Sequence, residues 1–324
     1  MFSIYDRETY AKVNSENKEL LEAFRDEYKM LGKSKGTIDQ YSFDIRGFFC
    51  YCYDNFKNKF ILDLKKKHFK KFFIDMQDAG CSSARINRMQ SSLRNMIEFA
   101  INDEEYEDDY QINVMSKIKG MQKQSVREII FLSNEEIIAL EEELIKRKEY
   151  QIALLIDLAY VSVGRRNELF QVEKNGFLDK KVTNTVTGKR GKKFKLKYSN
   201  RTKDIAKLYL DERGEDDCSA LFTVNDNGKV KQAEYSTLYY WIIKCRKVLC
   251  DITGEYKLFG SHSFRHSGLE NYKNGSHYML KEMGAEKLPL NLLKVLANHS
   301  DIGTTQSYVI DDDEEELNKL FADD

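Results

Sequence analysis

One proline, Pro289, stands among 324 residues, where average usage near 5% would supply about 16. Proline removes a backbone donor and breaks helix interiors, so this scarcity lets hydrogen-bond ladders run on and predicts a mainly α-helical chain. The apolar spacing agrees. Leu20, Leu21, Phe24, Tyr28 and Leu31 recur at helical intervals until GKSKG at 32–36 breaks the run. Thr37 is the expected N-cap of the next helix, whose face is Ile38, Tyr41, Ile45, Phe48 and Phe49. Two more helical stretches, His68 to Asp78 and Ser83 to Ile101, flank AGCSS, so the N-terminal part predicts a four-helix bundle.

The length fits two domains at about 150 residues each. We expect an N-terminal helical domain over 1–113, a linker over 114–127 carrying Lys117, Lys119 and Lys123, and a second domain over 128–324. Ser133 with Glu136 three residues on is a capping box, starting a helix that reaches about Tyr150. The run Ile152 to Val163 is apolar nearly all round, which predicts a helix at the heart of the second domain. It is too short to span a bilayer, and Asp157 interrupts it. The start MFSIYDRETY lacks the basic and apolar segments of a secretory signal, so a cytoplasmic protein with no membrane partner is expected. Alternation of Val182–Val186 and Phe194–Tyr198 around TGKRGKK predicts a hairpin with Lys189 at its tip, a small antiparallel β-sheet in a helical domain. Apart from loops near Gly214 and Asn225 to Gly228, the rest reads as helix.

The six cysteines form no CxxC pair and no zinc-type spacing with histidine, so they read as reduced thiols, mostly in the core. Net charge is −1, but charge is segregated: Lys189, Arg190, Lys192, Lys193, Lys195, Lys197, Arg201, Lys203 and Lys207 face the single acid Asp204 between 189 and 207. Such a stripe is the footprint of a polyanion-binding surface, although many charge runs are only solvated faces.

Five features bear on chemistry, and each has an ordinary explanation when taken alone. RxxEL at Arg165 can be a surface arginine with a helix glutamate, and Lys189 a basic turn residue. His262 and Arg265, one helical turn apart, can be capping or core residues. His299 can sit at a helix C-terminus, and Tyr308 is one of 19 tyrosines. Their order and spacing together carry more. The sequence resembles the tyrosine recombinase (phage integrase) family, whose catalytic domain runs R-x-x-E-L, a hairpin-turn lysine, H-x-x-R, then H-S-x-x-x-T-T-x-x-Y. Arg165 with Glu168 and Leu169 matches the first box, and Lys189 in VTGKRGKK the turn. His262 and Arg265 match the third box, and His299, Ser300, Thr304, Thr305 and Tyr308 the last. GKSKGTIDQYSFDIRGFF and SSARINRMQSSLRNMIEFA look like the paired helices of the family's core-binding domain. The family's usual glycine two residues before the first arginine is replaced by Val163, the chain is longer than compact members around Ser276 to Lys287, and its acidity is unusual for a DNA-binding enzyme.

The resemblance implies a four-helix, SAM-like core-binding domain joined to a tyrosine-recombinase catalytic domain, closing as a C-shaped clamp around duplex DNA. It implies a site-specific recombinase that passes through a 3′-phosphotyrosine and a Holliday junction, with integration or excision of a mobile element as the favoured role. The expected catalytic residues are Arg165, Lys189, His262, Arg265, His299 and Tyr308, and the expected DNA-binding residues Lys192, Lys193, Lys195, Arg201 and Lys203. Planar guanidinium groups suit the non-bridging oxygens of a phosphodiester under attack. A tyrosine of ordinary pKa near 10 is only about one part in a thousand ionised at neutral pH, so a base must accept its proton or a positive field must favour phenolate, and His262 is the candidate base. Lys189 is the acid for the leaving 5′ oxygen, and His299 donates to the phosphate. The covalent intermediate keeps the bond energy, so no cofactor and no metal is expected. The implied partners are double-stranded DNA at specific recombination sites and further copies of the chain in a homotetramer, with room for accessory DNA-bending proteins. Leu317, Leu320 and Phe321 are placed to form a short terminal helix that packs on its own subunit or on a neighbour, and the family's exchange of its last helix favours the neighbour. Only about 14 residues precede the first bundle helix, fewer than an extra DNA-binding arm domain needs. The alternatives are an inactive DNA-binding protein on the same fold, a type IB topoisomerase-like enzyme, and a plain helical structural protein.

Overall fold

The structure, a computed structural model, describes residues 4–122, 129–175, 177 and 180–298. The chain divides into two compact units, Met1–Glu128 and Ile129–Asp324. Each has its own apolar core. Both are mainly helical.

In the first unit the helices are α1 (Arg7–Lys12), α2 (Ser15–Met30), α3 (Lys35–Asn55), α4 (Lys66–Asp78) and α5 (Ser83–Ala100). The short α1 precedes the four helices that the periodicity marks. It starts at Asp6, whose side chain accepts from the Thr9 amide at 2.7 Å. The cap of α3 is Ser34 rather than Thr37. Ser34 Oγ accepts from the Thr37 amide at 3.2 Å, so the helix begins inside GKSKG, one turn earlier than expected. Phe48 stacks on Phe69 and meets Phe72 edge-on, with centroids 5.2 and 4.8 Å apart, at the centre of the bundle. Buried Asp44 accepts from Arg88 Nε and Ser92 Oγ, both at 3.0 Å, and so ties α3 to α5.

The second unit contains α6 (Asn134–Lys146), α7 (Tyr150–Val161), α8 (Arg166–Phe170), β1 (Val182–Thr187), β2 (Lys193–Lys197), α9 (Asn200–Arg213), β3 (Thr223–Asp226), β4 (Lys229–Gln232), α10 (Tyr235–Thr253), α11 (Ser261–Asn274), α12 (Met279–Met283) and α13 (Leu290–Leu296). The capping box forms as read: the Ser133 amide donates to Glu136 Oε2 at 2.9 Å and the Glu136 amide to Ser133 Oγ at 3.2 Å. From Ile152 to Val161 every residue of α7 is buried, and α6, α9 and α11 pack around it. That explains a helix with no polar face.

Strands β1 and β2 pair antiparallel with Val186 opposite Phe194 and Thr187 opposite Lys193, which puts Lys189 in the connecting turn. The segment read as a loop around Asn225 to Gly228 is a second antiparallel hairpin, β3–β4, with Asp226 opposite Lys229. Asn227 and Gly228 both take positive φ, 52° and 83°, as a tight two-residue hairpin turn requires. The Asn-Gly pair between TVND and KVKQ was the signal for it. Cys50, Cys52 and Cys245 are buried, while Cys81, Cys218 and Cys250 are half-buried, all six as free thiols. Among the described residues no helix is long and apolar enough to cross a membrane.

Gly268 sets the separation of α11 from α7. A Cβ there would fall 2.4 Å from the Tyr160 carbonyl oxygen and 2.9 Å from Val163 Cγ1, so only glycine allows the approach. Gly268→Ala should therefore destabilise the second unit by about 1–3 kcal/mol, read as a lower denaturation midpoint in urea at unchanged slope.

Candidate functional site

The site is built around the turn that leaves α7. Val163, fully buried, has φ 48°, a left-handed conformation rare for a β-branched residue. This is the position where the resembling family carries glycine. The side chain joins a cluster with Leu269, Tyr272, Leu280 and Leu293. Three contacts hold it: Arg265 Nη1 donates to the Val163 carbonyl, Tyr272 Oη donates to the Val161 carbonyl at 2.9 Å, and the Gly164 amide donates to Ser162 Oγ at 3.1 Å.

The same turn aims Arg165. Its amide donates to Glu168 Oε2 at 2.7 Å, closing the first turn of α8, and its Nη1 donates to Oε1 at 3.0 Å. Glu168 is buried, so Arg165 is held from below by a fixed carboxylate. Glu168 also abuts the hairpin, where a Cβ on Gly188 would sit 3.1 Å from Oε1. Gln171 fastens the strand end: its Nε2 donates to the Thr187 carbonyl at 3.0 Å and its Oε1 accepts from the Thr187 amide at 2.8 Å. Lys189, exposed, follows two residues after Thr187. Glu168 and Gln171 thus connect the RxxEL segment to the lysine turn. Gln171 is absent from the sequence-derived set, because no local pattern shows that an amide will meet a strand edge sixteen residues on.

His262 and Arg265 lie one turn apart on α11. Arg265 is 1% exposed, and its Nη2 donates to the Ala297 carbonyl at 2.7 Å, so it joins the α7–α8 turn to the end of α13. His262 reaches solvent, yet partial burial pushes its pKa down. The positive charges of Arg265, Arg165 and Arg166 push the same way, opposed by Glu168. The imidazole is held toward its neutral, proton-accepting form. Among the described residues no group of three or more His, Cys, Asp or Glu could hold a metal ion.

His299, Ser300, Thr304, Thr305 and Tyr308, and the tail residues Leu317, Leu320 and Phe321, lie outside the described residues. Lys192, Lys193 and Lys195 are exposed on the β1–β2 hairpin, and Lys203 is half-buried on α9. Arg201 is engaged inward: its Nε donates to Glu141 Oε2 at 2.6 Å, and Glu141 is fully buried, so part of this guanidinium is committed to an internal carboxylate. Asp157, also fully buried, accepts from Tyr278 Oη in the same knot. Burial first, then the Asp157 charge, raises the Glu141 pKa well above the ordinary range, and burial raises that of Asp157.

No family model matches the chain. The tyrosine recombinase XerD of Oceanobacillus iheyensis is 25% identical over 289 residues, covering 86% of this chain and 88% of that protein. A lambda integrase (75–356) dimer bound to a COC′ core site superposes with a TM-score of 0.66 at 14% identity, covering 90% of this chain and 94% of that one. The XerH site-specific recombinase bound to palindromic difH substrate gives 0.64 at 17% identity, with coverages of 98% and 89%. The Tn1549 transposon integrase in complex with transposon right end DNA gives 0.64 at 14% identity, with coverages of 94% and 99%. At these identities the structures speak for the shared fold.

Two outcomes follow from this geometry. Arg201→Met should lower stability by about 3–5 kcal/mol because it strands a buried carboxylate, and adding Glu141→Gln should recover part of the loss; chemical denaturation of the two variants measures both. The folded-state pKa of His262 is depressed, so an NMR titration should give a midpoint below 6.5. Its stabilising contribution is then present above the unfolded pKa of about 6.5 and is lost as pH falls through the window below it.

Proposed function

We propose that the chain is a member of the tyrosine recombinase family, as its likeness to such proteins supports, and that it is a site-specific DNA recombinase that cleaves and rejoins duplex DNA through a 3′-phosphotyrosine. The observation that carries this proposal is the meeting of the RxxE turn, the lysine hairpin and the HxxR helix. Glu168 backs both Arg165 and Gly188, and His262 lies in the field of Arg165 and Arg265.

In the proposed reaction Arg165 receives one non-bridging oxygen of the scissile phosphate, and Arg265, whose Nη1 and Nη2 already donate to the Val163 and Ala297 carbonyls, offers its remaining N–H groups to the other. Guanidinium donors gain most where negative charge develops. The Tyr308 hydroxyl oxygen attacks phosphorus, forming the P–O(Tyr) bond as the bond to the 5′ oxygen breaks. The phenolic proton passes to His262, and Lys189 protonates the departing 5′ oxygen. The products are a 3′-phosphotyrosine and a free 5′-hydroxyl. Attack by the 5′-hydroxyl of another strand reverses the same steps and regenerates the tyrosine, and two rounds make and resolve a Holliday junction. His299 donates to the phosphate; loss of one such donor typically slows a reaction about 10²- to 10³-fold. Because phosphodiester energy is kept in the covalent intermediate, the reaction balances without an external energy source.

The first unit, with its helical bundle, takes the part of the core-binding DNA domain, and the second that of the catalytic domain. Lys192, Lys193, Lys195 and Lys203 are the proposed phosphate contacts, which makes binding salt-sensitive. Duplex DNA carrying the recombination site and further copies of this chain in a tetramer are the proposed partners, in the cytoplasm where such DNA lies. Integration or excision of a mobile element is the favoured role.

Incubating the protein in EDTA with a nicked suicide duplex drawn from DNA flanking the gene tests the reading. A covalent protein–DNA band should form with wild type and vanish in Tyr308→Phe. A protein that shifts the duplex but yields no adduct is instead an inactive DNA-binding relative.

A further inference from the structure

Arg166 follows the first catalytic arginine, and the matched R-x-x-E-L box does not require it. It occupies an unusual setting. Its guanidinium carbon lies 4.0 Å from the centroid of Tyr235 and 5.1 Å from that of Tyr239, residues one turn apart on α10. Both tyrosines are 40% exposed, and Phe170 at the other end of α8 meets the Tyr235 ring edge-on at 5.7 Å. Arg166 Nε is buried, with no hydrogen-bond partner among the described residues. What holds this cation in place is therefore the faces of two aromatic rings, an interaction that strengthens as water is excluded.

We propose that Arg166 is a further positioning residue for the cleavage reaction: clasped by Tyr235 and Tyr239, it ties the turn carrying Arg165 to α10 and fixes an extra positive charge beside His262. The first consequence is mechanical. Helix α8 is only five residues long, Arg166–Phe170, too short to hold its own orientation. Its start is held by Glu168, and the Arg166 and Phe170 contacts add two anchors on one neighbouring helix. The second consequence is electrostatic. Among the described residues, the charged groups that act most on His262 are Arg265 on its own helix and Arg165, Arg166 and Glu168 from the α8 segment. Three of the four are cations, so removing one makes protonation of the imidazole easier.

This proposal rests on the recombinase reading, so its test has one arm that needs no activity. NMR titration of His262 should show the midpoint rising toward 6.5 in Arg166→Met and staying near wild type in Arg166→Lys, which keeps the charge. The second arm is single-turnover adduct formation across pH. Arg166→Met should slow it roughly 10- to 100-fold at neutral pH and move the acid limb of the profile upward. Tyr235→Leu with Tyr239→Leu should slow it while the limb stays near wild type, as long as the charge remains close by. A His262 midpoint unmoved by Arg166→Met, or a rate loss equal at every pH, overturns the proposal and leaves Arg166 a packing residue. A wild type that forms no adduct, with the His262 midpoint still moving as stated, overturns the recombinase reading while the charge coupling stands.

Discussion

Arg265 is the largest fully buried side chain among the described residues, and the second unit is arranged around where its guanidinium ends. One amino group meets the carbonyl of Val163 and the other that of Ala297, so a single residue of α11 closes the turn after α7 and receives the end of α13. A buried guanidinium without acceptors would be costly, and here main-chain carbonyls at fixed points supply them. The left-handed bend at Val163 is paid for by this contact and by the apolar cluster around its side chain. Everything downstream of the bend depends on it, because Arg165 leaves the turn two residues later.

A second polar knot packs against α7 one turn earlier. Glu141 from α6, Asp157 from α7, Arg201 from α9 and Tyr278 before α12 meet out of water, and the raised pKa values of the two acids follow from that burial. Tyr278 belongs to the stretch from Ser276 to Lys287, expected from the sequence to be longer than in compact members of the resembling family. That stretch is well anchored. His277 is stacked between Tyr160 and Tyr272, with centroids 4.0 and 3.7 Å apart, and burial pushes its pKa down to about 3, so it acts as a neutral aromatic slab. Glu282 on α12 accepts from Lys181 Nζ at 2.9 Å and from the Asn200 amide at 3.1 Å, joining the extra segment to the base of the lysine hairpin and the start of α9.

Much of this was legible in the sequence because it depends on local rules. The capping box at Ser133 and Glu136, the buried run after Ile152 and the β1–β2 alternation each involve residues a few positions apart. Where local signals competed, the reading slipped: Ser34 and Thr37 are both good caps, and the earlier one wins. The Asn227-Gly228 turn was overlooked because the flanking strands are only four residues each, too short to give a strong alternation. The inward engagement of Arg201 was not legible for a different reason. Its neighbours in sequence are lysines of a solvated stripe, while its partner Glu141 is sixty residues away.

The sequence by itself determined the helical character of the chain, the order of the RxxEL, lysine-turn and HxxR segments, and the family they resemble. Those properties rest on composition, periodicity and spacing, which act over one or two turns. Only the tertiary structure decided which charges face inward, that a valine can hold a glycine's bend, that Gly268 lets α11 approach α7, and that Arg166 is clasped by tyrosines some seventy residues away. These depend on burial and on contacts between distant segments. The free energy of a charge or a backbone bend is set by what surrounds it, and no short stretch of sequence contains those surroundings.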